Sequence, residues 1–474
     1  MSEPPLELEA FRKLLETTSI SSQQERPIVE SDALVGPELG PVLRRCAVPH
    51  EFDRALLALL GQSDQQTADD RFETFSELSL MQVQVAGETM SVHERWRRPL
   101  WAWWLREEQR PEFVALSRSL ADWFDAQEKS ETGDQLREVP ARKRMFHRIG
   151  CDPDQGIAEF ESLCRAARHN WAFPECTLLI RLAKEYEPIL NPRQRAVLGY
   201  HDGKLASDLH EWERALTAFR SVEAEPAAGA VLQIKAMVRA AHALRNLKRN
   251  DEALKELHAA QDRIPSSKDT AALSWRVLYE LGEAYRDVGD LDRAERALRA
   301  ALDEAEKTHE EGVMAGVLSS LGTVQSRLRN TNQAIESFQL SLKYLERSGE
   351  ALRTGAVLNN LGVAQLEKTD WAGAQASFAA SLERTRAAGD RSGQATALLN
   401  SSRARMALGE FAGAKDSAEQ AAKLFAEAGD IAGADRALAQ SASVARASLR
   451  LSKRRGVIPR AIASLAKSIG RLRR

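Results

Sequence analysis

Apolar residues recur along most of this chain at intervals of three and four, the spacing of one helical face. Over the C-terminal two-thirds the pattern also repeats itself. Gly282, Gly322, Gly362 and Ser402 stand 40 residues apart. The same shift relates Leu281, Leu321 and Leu361, then Ala294, Ala334, Ala374 and Ala414, then Leu298, Phe338, Phe378 and Ala418, then Ala301, Ser341, Ser381 and Ala421. Several columns at one period predict an array of repeated helix pairs. Within a unit, the small residue of the first helix precedes the Ala of the second by twelve positions, and a bulky residue follows four later. A small residue at a helix crossing lets two backbones approach closely, and bulky neighbours fill the flanking holes. Gly289-Asp290, Lys368-Thr369-Asp370 and Gly409-Glu410 predict the turns inside the units. Upstream the pattern drifts: Ala241, Ala253 and Leu257, then Gly203, Ala215 and Phe219, with Ala158 in a degenerate second helix. Asn191, Pro226 and Pro265 mark turns between units, and the array is expected over 137–448.

Residues 37–130 follow a different pattern. Short helices are expected over 41–46, 52–60 and 67–78, followed by alternating segments at Met81–Val85 and Thr89–His93 around a Gly87-Glu88 turn. Helices over about 94–108 and 111–127 carry Trp96, Trp101, Trp103, Trp104, Phe113, Trp123 and Phe124, rings expected to bury against their surroundings. Residues 1–36 are acidic and expected to be poorly ordered. Residues 449–474 carry only basic charge. After Pro459, an apolar stripe of Ile462, Leu465, Ala466, Ile469 and Leu472 is accompanied by bases that include Arg454, Arg455, Arg460, Lys467 and Arg471. Such a tail suits a cap on the array, a partner groove, weak contact with a membrane surface, or nucleic acid.

Composition narrows the function. The 474 residues exceed one ordinary core, and 43% hydrophobic with 28% charged residues is the balance of a folded chain. A net charge of -2 provides no global field for nucleic acid. The first residues lack the pattern of a secretory signal, and no apolar run approaches a membrane span, so the cytoplasm is the expected location. Cys46, Cys151, Cys164 and Cys176 lack metal-binding spacing and read as core thiols. No phosphate loop, nucleophile elbow or zinc helix occurs in the sequence. A protein that is not an enzyme, and needs no metal or cofactor, is the expectation.

The string Leu281-Gly282…Tyr285…Ala294…Leu298…Ala301 resembles the tetratricopeptide repeat signature, and its 40-residue length resembles units of kinesin light chains and bacterial signalling sensors. That resemblance implies an all-α, right-handed superhelix whose first helices line a concave face. It places Tyr279, Glu283 and Arg286 in the groove, with Ser319, Thr323, Asn359, Val363 and Arg403 as equivalents and the Asn360 and Asn400 pair beside them. A protein or peptide ligand is the implied partner. A second resemblance covers AVPHEFD, FETFSELSLMQV and MSVHERWRRPLWAWW, which look like the winged-helix segment of signal-transduction ATPases with numerous domains. There, a histidine after the hairpin contacts nucleotide phosphate, and His93 holds the matching position, with Glu94 replacing the usual Asp. The P-loop of that family is missing: Gly199 to Leu205 is one residue short and lacks the hydroxyl that binds Mg²⁺. The resemblance thus implies, second, a regulatory or truncated subunit of a switch whose ATPase is a separate chain. A nucleic-acid-linked transcriptional regulator is the third alternative.

Overall fold

The computed structural model describes residues 32–84, 88–131, 133–264, 267–307, 310–348 and 351–472. Its contacts divide the chain into two units, Met1–Leu232 and Gln233–Arg474.

After a helical turn at 32–35, the first unit continues with helices α1 (Gly40–Cys46), α2 (Arg54–Gly61) and α3 (Gln65–Ser76). Asp53 and Asp64 cap α2 and α3 by accepting from the amides of Leu56 and Thr67. Strands β1 (Met81–Gln84) and β2 (Thr89–Val92) pair antiparallel, Met81 opposite Val92, and Phe52 adds a bridge to Met90. Helices α4 (Glu94–Trp104), α5 (Arg110–Ser130), α6 (Asp134–Cys151), α7 (Pro153–His169), α8 (Phe173–Lys184), α9 (Pro192–Asp208) and α10 (Trp212–Glu223) follow. The helices and hairpin thus occur in the expected order.

One core draws on residues from Val42 to Leu205, including side chains on both sides of residues 125–144. Trp101 stands at its centre, with Phe113, Phe146 and Tyr186 at ring-centroid distances of 5.6, 5.5 and 5.1 Å. The indole N–H groups of Trp101 and Trp104 donate to the carbonyls of Glu185 and Arg44, so the rings bury without orphaning a donor. Trp103 is also buried, while Trp96 and Trp123 are half-buried. Cys46, Cys164 and Cys176 lie in this core, and Cys151 is half-buried.

The second unit is built, among the described residues, from α11 (Ala230–Asn246), α12 (Asn250–Arg263), the short α13 (Lys268–Ala271), and then five more first helices, four of them with partners. These are α14 (Ser274–Val288) with α15 (Leu291–Glu306), α16 (Glu311–Arg327) with α17 (Thr331–Ser348), α18 (Ala351–Glu367) with α19 (Trp371–Ala387), and α20 (Arg391–Ala407) with α21 (Phe411–Glu427). The fifth, α22 (Ile431–Leu472), runs alone. The expected start of the basic tail at 449 falls inside α22, because no proline interrupts residues 431–458.

The glycine column does what its spacing requires. A methyl group on Gly322 or Gly362 would lie 2.8 or 2.6 Å from the ring of Phe338 or Phe378, and one on Gly282 would lie 2.6 Å from Leu298. Hydrogen bonds recur at the same period. Gln325 and Gln365 accept from Ser337 and Ser377 at 2.7 Å, while Ser341 and Ser381 donate to the carbonyls of Ala315 and Gly355 at 2.7 Å. The turns within units repeat too: Gly289, Arg329, Thr369 and Gly409 all have positive φ, which costs a residue with a side chain but not glycine.

Candidate functional site

Neighbouring first helices are stitched together by contacts between residues 41 positions apart. Ser320 lies 3.4 Å from the Tyr279 hydroxyl, Asn400 donates to Asn359 at 2.9 Å, and Arg327 and Arg353 donate to the carbonyls of Arg286 and Gly312. These contacts bring the first helices side by side, and two clefts open between them.

The first cleft, of about 380 Å³, is lined by α14, α16, α18 and the residue before α16. Trp275, Tyr279, Val313 and Val317 form its apolar wall, and Glu310 and Arg353 supply charge. A methyl on Gly316 would lie 2.7 Å from the tip of the Arg353 side chain, which would have to shift to admit it. The second cleft, of about 350 Å³, lies among α18, α19 and α20. Asn359, Asn360, Thr385, Ser392 and Thr396 make it polar.

The residues singled out from the sequence are thus distributed unevenly. Tyr279 lines the first cleft, and Asn359 and Asn360 line the second. Ser319, Thr323 and Val363 are half-buried on first helices, with the Thr323 hydroxyl donating to the Ser319 carbonyl. Arg403 is exposed and donates to Asn400. Asn400 itself is buried, held between Asn359 and Arg403.

Glu283 is buried in an ionic cluster centred on Arg245. The Arg245 guanidinium reaches Glu280 at 2.7 Å, Asp287 at 2.9 Å and Glu283 at 3.3 Å, and Arg286 closes on Glu283 at 2.8 Å. Burial works against charge on Glu280 and Asp287, but His242 and Arg245 for the first, and Arg245 and Arg286 for the second, hold both carboxyls below their usual range. The cluster ties α11 to α14, so Glu283 and Arg286 serve the joint beneath the groove. Sequence reasoning missed Trp275, Arg353 and Arg245. Trp275 stands one helical turn before Tyr279, a signal that was legible. Arg245 stands four residues after Ala241, as Arg286 stands four after Gly282.

Away from the repeats, His93 caps α4: it is exposed and its Nδ1 accepts from the Arg95 amide at 3.2 Å. Gly203, in the string nearest to a phosphate loop, lies within α9, where a methyl would sit 2.7 Å from Phe219. The side chains of Arg454, Arg455, Arg460, Lys467 and Arg471 lie outside the described residues. Among the described residues, no group of acidic, histidine and cysteine side chains could hold a metal ion.

Residues 276–308, most of α14 and all of α15, match the tetratricopeptide repeat family. The chain carries tetratricopeptide repeats. Among solved structures, it is similar to a signal transduction ATPase with numerous domains that bears a tetratricopeptide repeat sensor, from Pyrococcus horikoshii. That likeness has 12% identity, covers 98% of this chain and 68% of the other, and gives a TM-score of 0.49. BtubC from P. vanneervenii shares 19% identity over 47% of this chain and 91% of its own, with a TM-score of 0.41. A Rap protein complexed with competence and sporulation factor shares 12% identity over 74% of this chain and 97% of its own, with a TM-score of 0.43. No curated protein matches. The tetratricopeptide helices, with Gly282, Gly322 and Gly362 at their crossings, form an all-α repeat fold. Among the described residues, no helix is long and apolar enough to cross a membrane.

Proposed function

We propose that the protein is a non-enzymatic cytoplasmic scaffold or sensor that takes a peptide or partner helix on its first-helix face. The observation that carries this reading is the cleft shared by α14, α16 and α18, where two aromatic rings and two valines stand beside Glu310 and Arg353. Aromatic anchors beside charged groups are the composition of a recognition groove. Tyr279 is half-buried and Trp275 beside it is likewise half-buried, so both rings are held in place before a ligand arrives. The polar second cleft around Asn359 and Asn360 continues the same face and suits backbone groups of an extended segment.

A photocrosslinking amino acid at Val313 tests the reading against one at Leu340, which is exposed on second helix α17. The Val313 probe should capture a defined partner, and Trp275→Ala or Arg353→Glu should abolish capture. Capture concentrated at Leu340, or unmoved by those substitutions, would place the partner elsewhere. A second reading, a subunit of a P-loop ATPase switch, is favoured by the exposed His93 just after the hairpin. It requires an ATP-dependent, stoichiometric ATPase among the captured proteins, lost on His93→Ala.

A further inference from the structure

The first unit contains a cavity that the repeat groove does not explain. It measures about 180 Å³ and lies among the loop at 49–51, α5, α6 and α8. Its walls are apolar: Phe124, Phe146, Leu178 and Leu182. An apolar cavity of comparable size accommodates a benzene ring. The polar groups lie at two different depths.

His147 marks the deep end. It is 2% exposed, stacks flat on Phe124 at 5.7 Å and meets the edge of Phe146 at 5.1 Å. Its Nδ1 is buried and has no hydrogen-bond partner. A buried ring nitrogen without a hydrogen-bond partner costs free energy. Burial, reinforced by His50, Lys143 and Arg97, pushes the His147 pKa well below its usual value, so the ring is neutral at physiological pH.

Charge marks the other end. Arg142, Lys143 and Arg181 line the cavity against one lining carboxylate, Glu51. Arg142 is occupied by Glu175 at 2.8 Å and Lys143 by Glu51 at 2.6 Å. Exposed Arg181 has no ion pair among the described residues. His147 and Arg181 thus line one apolar space: a buried ring with an unpartnered nitrogen at depth and an exposed cation at the mouth.

We propose that this cavity binds a small hydroxyaryl carboxylate, its ring among Phe124, Phe146, Leu178 and Leu182, its hydroxyl on His147 Nδ1, and its carboxylate on Arg181. A planar ring fits between the two phenylalanines, and Arg favours carboxylates through its forked donors. An alkyl carboxylate would satisfy Arg181 but leave His147 unpaired; an uncharged phenol would do the reverse.

The test is calorimetric titration of the full chain, with saturation-transfer NMR as a second readout. The probes are 4-hydroxyphenylacetate, phenylacetate and 2-(4-hydroxyphenyl)ethanol. The hydroxyaryl acid should bind, phenylacetate about fivefold more weakly through loss of one hydrogen bond, and the uncharged alcohol about tenfold more weakly. Arg181→Glu, on an exposed side chain that should not disturb folding, should weaken the acid about tenfold or more while leaving the alcohol unchanged. Leu182→Trp should fill the cavity and abolish binding of all three, with circular dichroism confirming the fold. Absence of binding at millimolar concentration to the native chain overturns the proposal. So does binding that Arg181→Glu does not weaken, or equal affinity for the hydroxylated and plain acids.

Discussion

The two units solve burial in opposite ways. The first gathers large rings from distant parts of the chain around Trp101, into one core that spans residues 42–205. The second uses small cores, each made by one or two repeats: Ala294 and Leu298 with Leu321 and Val324, then Phe338 with Val357 and Leu361, then Phe378 with Ala404. A unit of the first kind should lose structure as a whole. A unit of the second kind rests on nearest neighbours and should fail locally.

The largest effect expected is from the rings. Trp101→Ala should cost about 3–5 kcal/mol and remove hydrogen-exchange protection from α1 through α8 together. Phe378→Ala should cost a similar amount locally, but protection should fall only from α18 to α20. Uniform loss across the second unit would break the distinction.

Arg245→Met should destabilise by about 3–5 kcal/mol, because buried Glu280 would lose its closest cation and buried Glu283 would keep only Arg286. Adding Glu280→Gln should recover part of that, as read from denaturant midpoints. Here the nearest-neighbour picture is sharpened, since the loss should centre on the α11–α14 joint.

Acid should separate the units by pH. His147 has a depressed pKa in the fold, so its contribution to stability is present above its unfolded value of about 6.5 and is lost as pH falls below it. Glu280 and Asp287 are also depressed, from 4.5 and 3.8, so their contribution is present above those values and is lost as pH falls through the lower folded ones. The first unit should therefore begin to weaken at milder acidity than the second. Exchange protection measured between neutral pH and pH 4 checks the order, and simultaneous weakening would contradict it.

The smallest effect is at a turn. Thr369 holds a left-handed conformation that Gly289 and Gly409 adopt at equivalent places. Thr369→Gly should stabilise by about 0.5 kcal/mol, because relief of side-chain strain outweighs the extra freedom glycine gives the unfolded chain. Thermal melting would register it.

Legibility followed the same division. The repeat was readable because a glycine that seats Phe338 must recur as Gly362 to seat Phe378. The turn at Thr369 was readable from its column, although threonine is a poor turn residue. The hairpin and the helices around it were readable from alternation and spacing. The clefts were only half legible: Tyr279, Asn359 and Asn360 line them, whereas Asn400 and Glu283 are taken up by contacts within the fold. A spacing rule gives the direction of a side chain, not what already occupies the space in front of it.

By itself, then, the sequence determined the helical class, the 40-residue period, the crossings and the turns. These depend on steric needs a few residues apart, and local needs leave periodic marks. Tertiary structure alone decided that Arg245 would collect three carboxylates from the neighbouring helix α14, that Trp275 and Arg353 would share a cleft, and that His147 would line an apolar cavity with Arg181. Those meetings join residues with no fixed separation in the chain. They exist because close packing brings side chains together and low dielectric makes each pairing count.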